Sequence, residues 1–479
     1  MLAAARMEIR GKDMAQVFKW LASIVAGVVL LVAGLAVFVT VVWLISRAVG
    51  PSKAEREALA LIDTPPPSGE RDGFAALYTV SHDVPQAEQA AVLAEDVRRF
   101  SAFEPLPEGS EASWQSALLD WPALGESRAE DPGWCSLRES GCLERVRANP
   151  DAYAGLLERN AELLDRTAAL ADWDHFRNPF PMRFDTPLPA YVPWTRLSTR
   201  DAWRFTQGDV DAGLAGACAG VSQGRTLIAA GDSLIGSMVG AALIQGNATL
   251  LAEMLAELPR EHALPQACHD AFAQPLPVED GVCRMMLMEG RYITEGLRHD
   301  LTATIAAGDQ VPAWITPLLF DPEHTAARGA PKFAWHCSEQ ARELIARDEP
   351  LLDPTPLASR RSLACVSNPV GCILADIAAP AYGNYGMRVQ DAQARIRTLS
   401  ALLWLREQEG EMDANLLAQW PSAMQSPSRP VQLNVADATL GTALFEPGGQ
   451  GADGQDGTWS VPLPASRIQS AAGSPAAGR

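Results

Sequence analysis

The sequence predicts a mainly α-helical protein. It should have one N-terminal transmembrane helix, then an irregular helical bundle or solenoid-like domain, then a small β-containing C-terminal part. Three observations predict this. An uncharged apolar run extends from Leu21 to Ile45, apolar residues recur at helical spacing between about 135 and 410, and the chain then changes to short alternating runs separated by Gly/Asp turns.

Length and charge narrow the function classes. A chain of 479 residues has room for two or three ordinary cores. Its 39 Lys+Arg against 58 Asp+Glu, a formal charge of −19, argue against a nucleic-acid surface, which must neutralise phosphates.

Residues 1–19 read as a cytoplasmic tail and 20–46 as the membrane helix. Only Ser23 and Thr40 are polar between Leu21 and Ile45, Trp20 and Trp43 stand where interfacial aromatics belong, and Lys19 and Arg47 flank them. The run exceeds a signal-peptide core of about 7–15 residues and no small-x-small cleavage site follows, so a retained anchor is expected. Arg6, Arg10, Lys12 and Lys19 precede the span while Arg47, Lys53 and Arg56 follow it, a thin positive-inside bias. With four basic and two acidic residues ahead of the span, the remainder holds 35 against 56, a balance of −21. All eight Cys lie there too, as expected where disulfides persist. Lys is confined to Lys12, Lys19, Lys53 and Lys332 while Arg and Ala abound, a skew typical of GC-rich bacterial genomes. The expected location is therefore a bacterial inner membrane, single-pass, with the C-terminal domain periplasmic.

Residues 47–134 read as a stalk and membrane-proximal irregular region, since TPPPSGERDG favours an extended spacer and 104–134 is rich in Pro and Trp. Residues 135–410 form the helical domain. Asn149-Pro150-Asp151 is a helix start, and Tyr153, Leu156, Leu157, Leu163, Leu164 and Leu170 make one buried stripe of a single amphipathic helix. The Gly208-Asp209 turn separates two further helices, and helical patterns recur at 232–257, 283–306, 336–347 and 387–409. No period of 33–45 residues survives more than two units, so a regular repeat array is not supported. Residues 411–465 read as a small β appendage built on VQLNV, TALFE and TWSVPL, and 466–479 as a disordered tail.

Cys135–Cys142 and Cys365–Cys372 each enclose six residues with Gly before the second Cys, the form of a local disulfide. Cys268 and Cys283 bracket a Pro-containing connection and could staple it, which leaves Cys218 with Cys337 by elimination. Eight Cys nevertheless allow 105 connectivities. Cys268-His269 and His336-Cys337 are adjacent soft-ligand pairs, but no C-x-x-C or H-x-x-x-H spacing occurs, so neither a metal nor a cofactor is expected. His175, His262 and His299 are isolated and read as surface or loop residues.

One motif carries catalytic chemistry. Gly231-Asp232-Ser233-Leu234, after the apolar Thr226–Ala230, is similar to the nucleophile block of the Gly-Asp-Ser-Leu lipases and esterases. That resemblance implies Ser233 as nucleophile, Asn247 as oxyanion donor, His324 as base and Asp321 orienting it. The layout argues against it, because no strand-helix alternation separates Ser233 from His324. The plainer reading makes Asp232 an N-cap and Leu234, Ile235, Met238, Val239 and Ala242 the buried face of a helix.

Two longer stretches, DSLIGSMVGAALIQGNATLLAEMLAELP and NPVGCILADIAAPAYGNYGMRVQDAQARIRTLSALLWLRE, resemble segments of uncharacterised membrane-anchored, mainly helical envelope proteins of proteobacteria. The resemblance spans about 135–465 and implies an anchored helical envelope domain with no catalytic residue. The functional expectation is non-catalytic binding of a protein partner, or a role in envelope assembly. Alternatives are a membrane-tethered serine hydrolase using Ser233, and an immunity protein whose acidic domain neutralises a periplasmic toxin.

Overall fold

The computed structural model describes residues 2–64, 69–103, 114–301, 314–354, 362–378, 382–409, 412–446 and 457–464, with side chains from Phe18 onward except at 300 and 301. The expected tail 466–479, the Pro-rich part of the spacer at 65–68 and the end of the 283–306 helix lie outside the described residues.

Helix α1, Leu2–Val49, contains the expected apolar run, and between Phe18 and Val41 every side chain is exposed. It is long and apolar enough to cross a membrane. Gly50, at φ 58°, and Pro51 end it, and Ser52 opens α2 (Lys53–Asp63) with a capping box to Glu55. The expected spacer therefore begins as a docked helix: Ile62 is buried in the main core. Helices α3 (Phe74–Thr79) and α4 (Gln86–Ala102) follow within the segment expected to be stalk and membrane-proximal region, and α4 has no counterpart among the expected helices. With the 3-10 turn Ala117–Asp120 they enclose an aromatic cluster in which Phe100, Trp114 and Phe180 meet edge to face or tilted.

Helix α5 is Cys142–Ala148, and the single helix expected beyond Asn149 is two, α6 (Pro150–Arg159) and α7 (Ala161–Ala168). Asn160 divides them. Its buried amide donates to Leu156 O (2.9 Å to Glu126 O, 2.8 Å to Leu156 O), a side-chain competitor to the helical ladder.

The centre of the fold is α8 (Val192–Thr206), α9 (Val210–Ala230) and α10 (Leu234–Glu257), with the expected turn at Gly208, φ 91°. Helices α9 and α10 cross closely: a Cβ on Gly224 would lie 2.5 Å from Gly240 O, and one on Gly220 2.5 Å from the Asn247 side chain. Helix α10 also has the length and hydropathy of a span, but it is 67% buried and serves as a core helix. Next come α11 (Gln266–Phe272), α12 (Val278–Gly296) with a π-turn at Leu297–Leu301, α13 (Thr316–Leu319), α14 (Pro322–Ala334), α15 (Glu339–Ala346), α16 (Pro369–Ala378), α17 (Tyr385–Glu407) and α18 (Ala414–Leu417). Helix α17 is buried on nearly every side and packs against α10, α11 and α12.

All eight cysteines are paired. The two local disulfides, Cys135–Cys142 and Cys365–Cys372, match the expectation. The other two do not: Cys218 joins Cys268 and Cys283 joins Cys337, in place of Cys268–Cys283 and Cys218–Cys337. The cause is packing, since α11 lies on α9 and α12 lies on the turn Trp335–Cys337. Four disulfides fit an oxidising compartment.

The C-terminal sheet is antiparallel in the order β1 (Gln432–Asn434), β2 (Thr439–Ala443), β3 (Thr458–Pro462), with Leu440 opposite Leu433 and Val461. It is no detached appendage. Leu440, Trp459 and Val461 belong to the main core, against α10 and α17.

Candidate functional site

A cleft of about 460 Å³ opens between the start of α12, α15, α17 and the loop at 423–425, lined by Leu276, Glu279, Asp280, Gln390, Gln393 and Arg397. Its polar wall follows from an unusual property of α17, which carries Gln390, Asp391, Gln393, Arg395 and Arg397 into the core. Such residues survive burial only when paired. Asp348 supplies the centre. It sits just after α15 with left-handed backbone, φ 53°, and its carboxylate accepts from Arg397 Nη1 (2.9 Å), Arg429 Nε (3.1 Å) and Nη2 (2.5 Å), and Ser426 Oγ (2.5 Å). Arg429 Nη1 also donates to Asp391 (2.5 Å), which accepts the backbone N–H groups of Phe445 and Glu446. Burial pushes the Asp348 carboxyl up, but the hydrogen bonds from Arg429 and the neighbouring Arg397 outweigh it and hold the group below its usual range. The left-handed residue is thus held by a chain of two carboxylates and two guanidiniums, which ties α15, α17 and the sheet together.

The cleft amides are fixed as well. Gln393 Oε1 accepts from Leu276 N (2.5 Å), while Gln390 accepts from Leu351 N and donates to Glu349 O. At the rim, exposed Glu279 pairs with Arg342 at 2.9 Å. The arrangement is a preformed polar surface with acidic edges, in which Asp348, Arg397 and Glu279 are engaged in internal pairs.

A second cavity, about 250 Å³ and nearly all apolar, lies between α12, α14 and α16, walled by Phe184, Ile293, Leu297, Phe333, Leu374 and Tyr382. Beside it the Tyr382 hydroxyl donates to Glu289 (3.0 Å), whose carboxyl burial pushes up.

Of the four residues of the hydrolase motif, Asp321 and His324 come together, a carboxylate oxygen lying 4.0 Å from His324 Nδ1, whereas Ser233 and Asn247 do not converge. Thr226–Ala230, which would have to be a strand, is the last turn and more of α9. Ser233, and not Asp232, caps α10, accepting from Gly236 N at 2.9 Å. Ile235 on that helix is exposed and the buried face runs instead through Leu234, Ser237, Gly240 and Leu243. Asn247 lies fourteen residues along the same helix, about 21 Å by helical rise, with its amide donating to Leu243 O. A nucleophile and an oxyanion donor must converge on one carbonyl, and these two do not. Asp321 caps α14, accepting from His324 N, and both stand next to the end of α1, where Arg47 reaches Asp321 at 3.8 Å.

What surrounds Ser233 is different. The Tyr191 hydroxyl hydrogen-bonds it, and burial raises Tyr191, so that phenol keeps its proton and is no base. Asp232 accepts from Phe176 N (2.8 Å) and pairs with Arg177 (3.3 Å). Neighbouring His175 lies in the connection between α7 and α8, a loop residue as expected but a buried one, with Nδ1 on Asp174 (2.7 Å) and Nε2 3.8 Å from Asp72. His262, half-buried, and His299, exposed, are the partners of Asp211 and Glu295. Of the adjacent Cys–His pairs, both cysteines are in disulfides, His336 is buried on Lys332 O and His269 lies 3.8 Å from Glu407. Among the described residues no group of three or more His, Cys, Asp or Glu could hold a metal ion.

The cleft was not found by sequence reasoning. Its signal was the run of polar residues spaced around α17, which lacks the wet face an ordinary amphipathic helix would have. No family model matches the chain, and no curated protein or solved structure is significantly similar to it.

Proposed function

We propose that the protein is a single-pass protein of a bacterial inner membrane, with residues 1–19 cytoplasmic and a disulfide-braced periplasmic domain that binds a protein partner without catalysis. An exposed apolar helix near the N-terminus, four disulfides and the charge of −21 beyond the span support the placement. The cleft at α17 carries the functional reading: it is large enough for several side chains, its walls are fixed by internal pairs, and it presents amides and acidic edges without a nucleophile beside a base. Its partner of best fit is a segment with basic and amide side chains.

The test uses the full-length chain in membranes of the cells that make it, with a photoreactive residue at Gln425 on the cleft rim. A discrete adduct that weakens with salt and disappears in Glu279→Lys/Asp280→Lys supports the reading. Absence of an adduct, or fluorophosphonate labelling that Ser233→Ala abolishes, overturns it.

A further inference from the structure

The domain presents an apolar surface where it meets the end of α1. On α16, Asp376 is 7% exposed and faces Arg328 at 3.4 Å, while Ile373 and Ile377, one turn apart on the adjoining flank of the helix, are 45% and 65% exposed. Helix α13 repeats the pattern, with Thr316 buried and Leu318 and Leu319 outside, next to exposed Trp314. In the adjoining 3-10 turn Leu363–Cys365, Leu363 points out, while Ser367, two residues beyond the turn, is buried against Ser46 of α1. Phe320, Cys365 and Cys372 are buried here as well, yet the outer side carries a cluster of large apolar side chains, which a surface that faces water does not.

Its position says what covers it. Three side chains of the last turns of α1 bind this surface: Trp43 Nε1 donates to Leu318 O (2.9 Å), Arg47 Nη1 to Pro317 O (3.0 Å), and Ser46 Oγ to Leu363 O (2.6 Å). Trp43 lies ten residues from Ala33, the midpoint of the uncharged run, hence about 15 Å along the axis, which is half of a hydrocarbon core of about 30 Å. The carbonyl of Leu318 is therefore held at the boundary between acyl chains and headgroups. Exposed Trp314 alongside suits that layer, where aromatic belts sit.

We propose that the face formed by α13, the Leu363 turn and α16 is inserted into the interfacial layer of the bilayer that α1 spans, with phospholipid as its occupant. The proposal rests on the reading of α1 as a membrane span. It makes the domain a platform lying on the membrane, with the cleft at α17 carried at a fixed height and tilt.

The experiment reconstitutes the full chain in phosphatidylcholine/phosphatidylglycerol vesicles containing a phospholipid with a diazirine on its acyl chain, and maps photolabelled peptides by mass spectrometry. The expected result is label in Leu21–Ile45 and also in Trp314–Leu319 and Ile373–Ile377, with the latter two lost in Leu319→Glu/Ile377→Glu, a change at exposed positions. Label in Leu21–Ile45 alone means that another part of the chain, a second copy or a partner protein covers the face, and overturns the platform but not the span. Unchanged labelling of the two segments in the double variant also overturns the platform. Absence of label from Leu21–Ile45 overturns the span, and the platform with it.

Discussion

Asp348 and Asp201 are both buried carboxylates, and their partners set them apart. Asp348 accepts from two guanidiniums and a hydroxyl at hydrogen-bond distance. Asp201, 1% exposed in α8, has Arg200 and Arg204 as its cationic neighbours among the described residues, at 3.5 and 4.0 Å, and burial wins over them, pushing its carboxyl up to about 6. The two therefore act oppositely with pH. A lowered carboxyl adds stability above the usual carboxylate range and loses it as acid protonates the folded state, whereas a raised one favours the fold below its unfolded pKa and loses that advantage as pH rises through its folded value. Asp201→Asn, which mimics the protonated group, should melt close to wild type near pH 4. Above about pH 6 it should melt higher, by a margin that corresponds to on the order of 3 kcal/mol from a shift of about two units. A variant that melts lower than wild type at pH 8 would contradict this. None of this was legible in the sequence, because a buried and an exposed Asp look alike in a helical pattern. Ser233 was equally opaque: Asp and Ser are both good caps, and only the position of Phe176 and Arg177, far back in the chain, draws Asp232 away from the role.

At the scale of elements, the close crossing of α9 and α10 makes glycine a packing requirement. Gly→Ala inside an exposed helix gains up to about 1 kcal/mol of helix propensity. At Gly224 the new Cβ would meet Gly240 O at 2.5 Å, so overpacking of about 1–3 kcal/mol should prevail. Gly329 in α14 has nothing within 4 Å of its Cβ position. Thermal melts should thus show Gly224→Ala below wild type and Gly329→Ala at or above it; the reverse order would refute the packing argument. The helices with strong periodicity or a Gly turn, α8 to α10, α12 and α17, were legible in outline, as were the local disulfides, whose short loops need only a backbone turn. The long-range disulfides were not, since they depend on which helix lies on which. Peptide mapping without reduction should recover Cys218–Cys268 and Cys283–Cys337, whereas a Cys268–Cys283 peptide would contradict the packing of α11 on α9. Helix α4 escaped because its Ala-rich sequence has few large apolar residues to mark a stripe; Val92 and Phe100 are its main buried ones.

For the whole molecule, composition and the uncharged run were enough to foresee a helical chain with one candidate span. They could not show that the sheet and α2 share the main core, because both are short segments whose burial is decided by partners distant in sequence. Among the described residues the main core begins at Ile62, thirteen residues after α1 ends. The side of the membrane on which the domain folds is the claim on which the proposed function depends. Fusing alkaline phosphatase or, separately, green fluorescent protein to the C-terminus of the full chain in bacteria measures that side. The account predicts an active phosphatase and a dark fluorescent protein; a bright fluorescent protein with an inactive phosphatase would place the domain, its four disulfides and its cleft in the cytoplasm and contradict it.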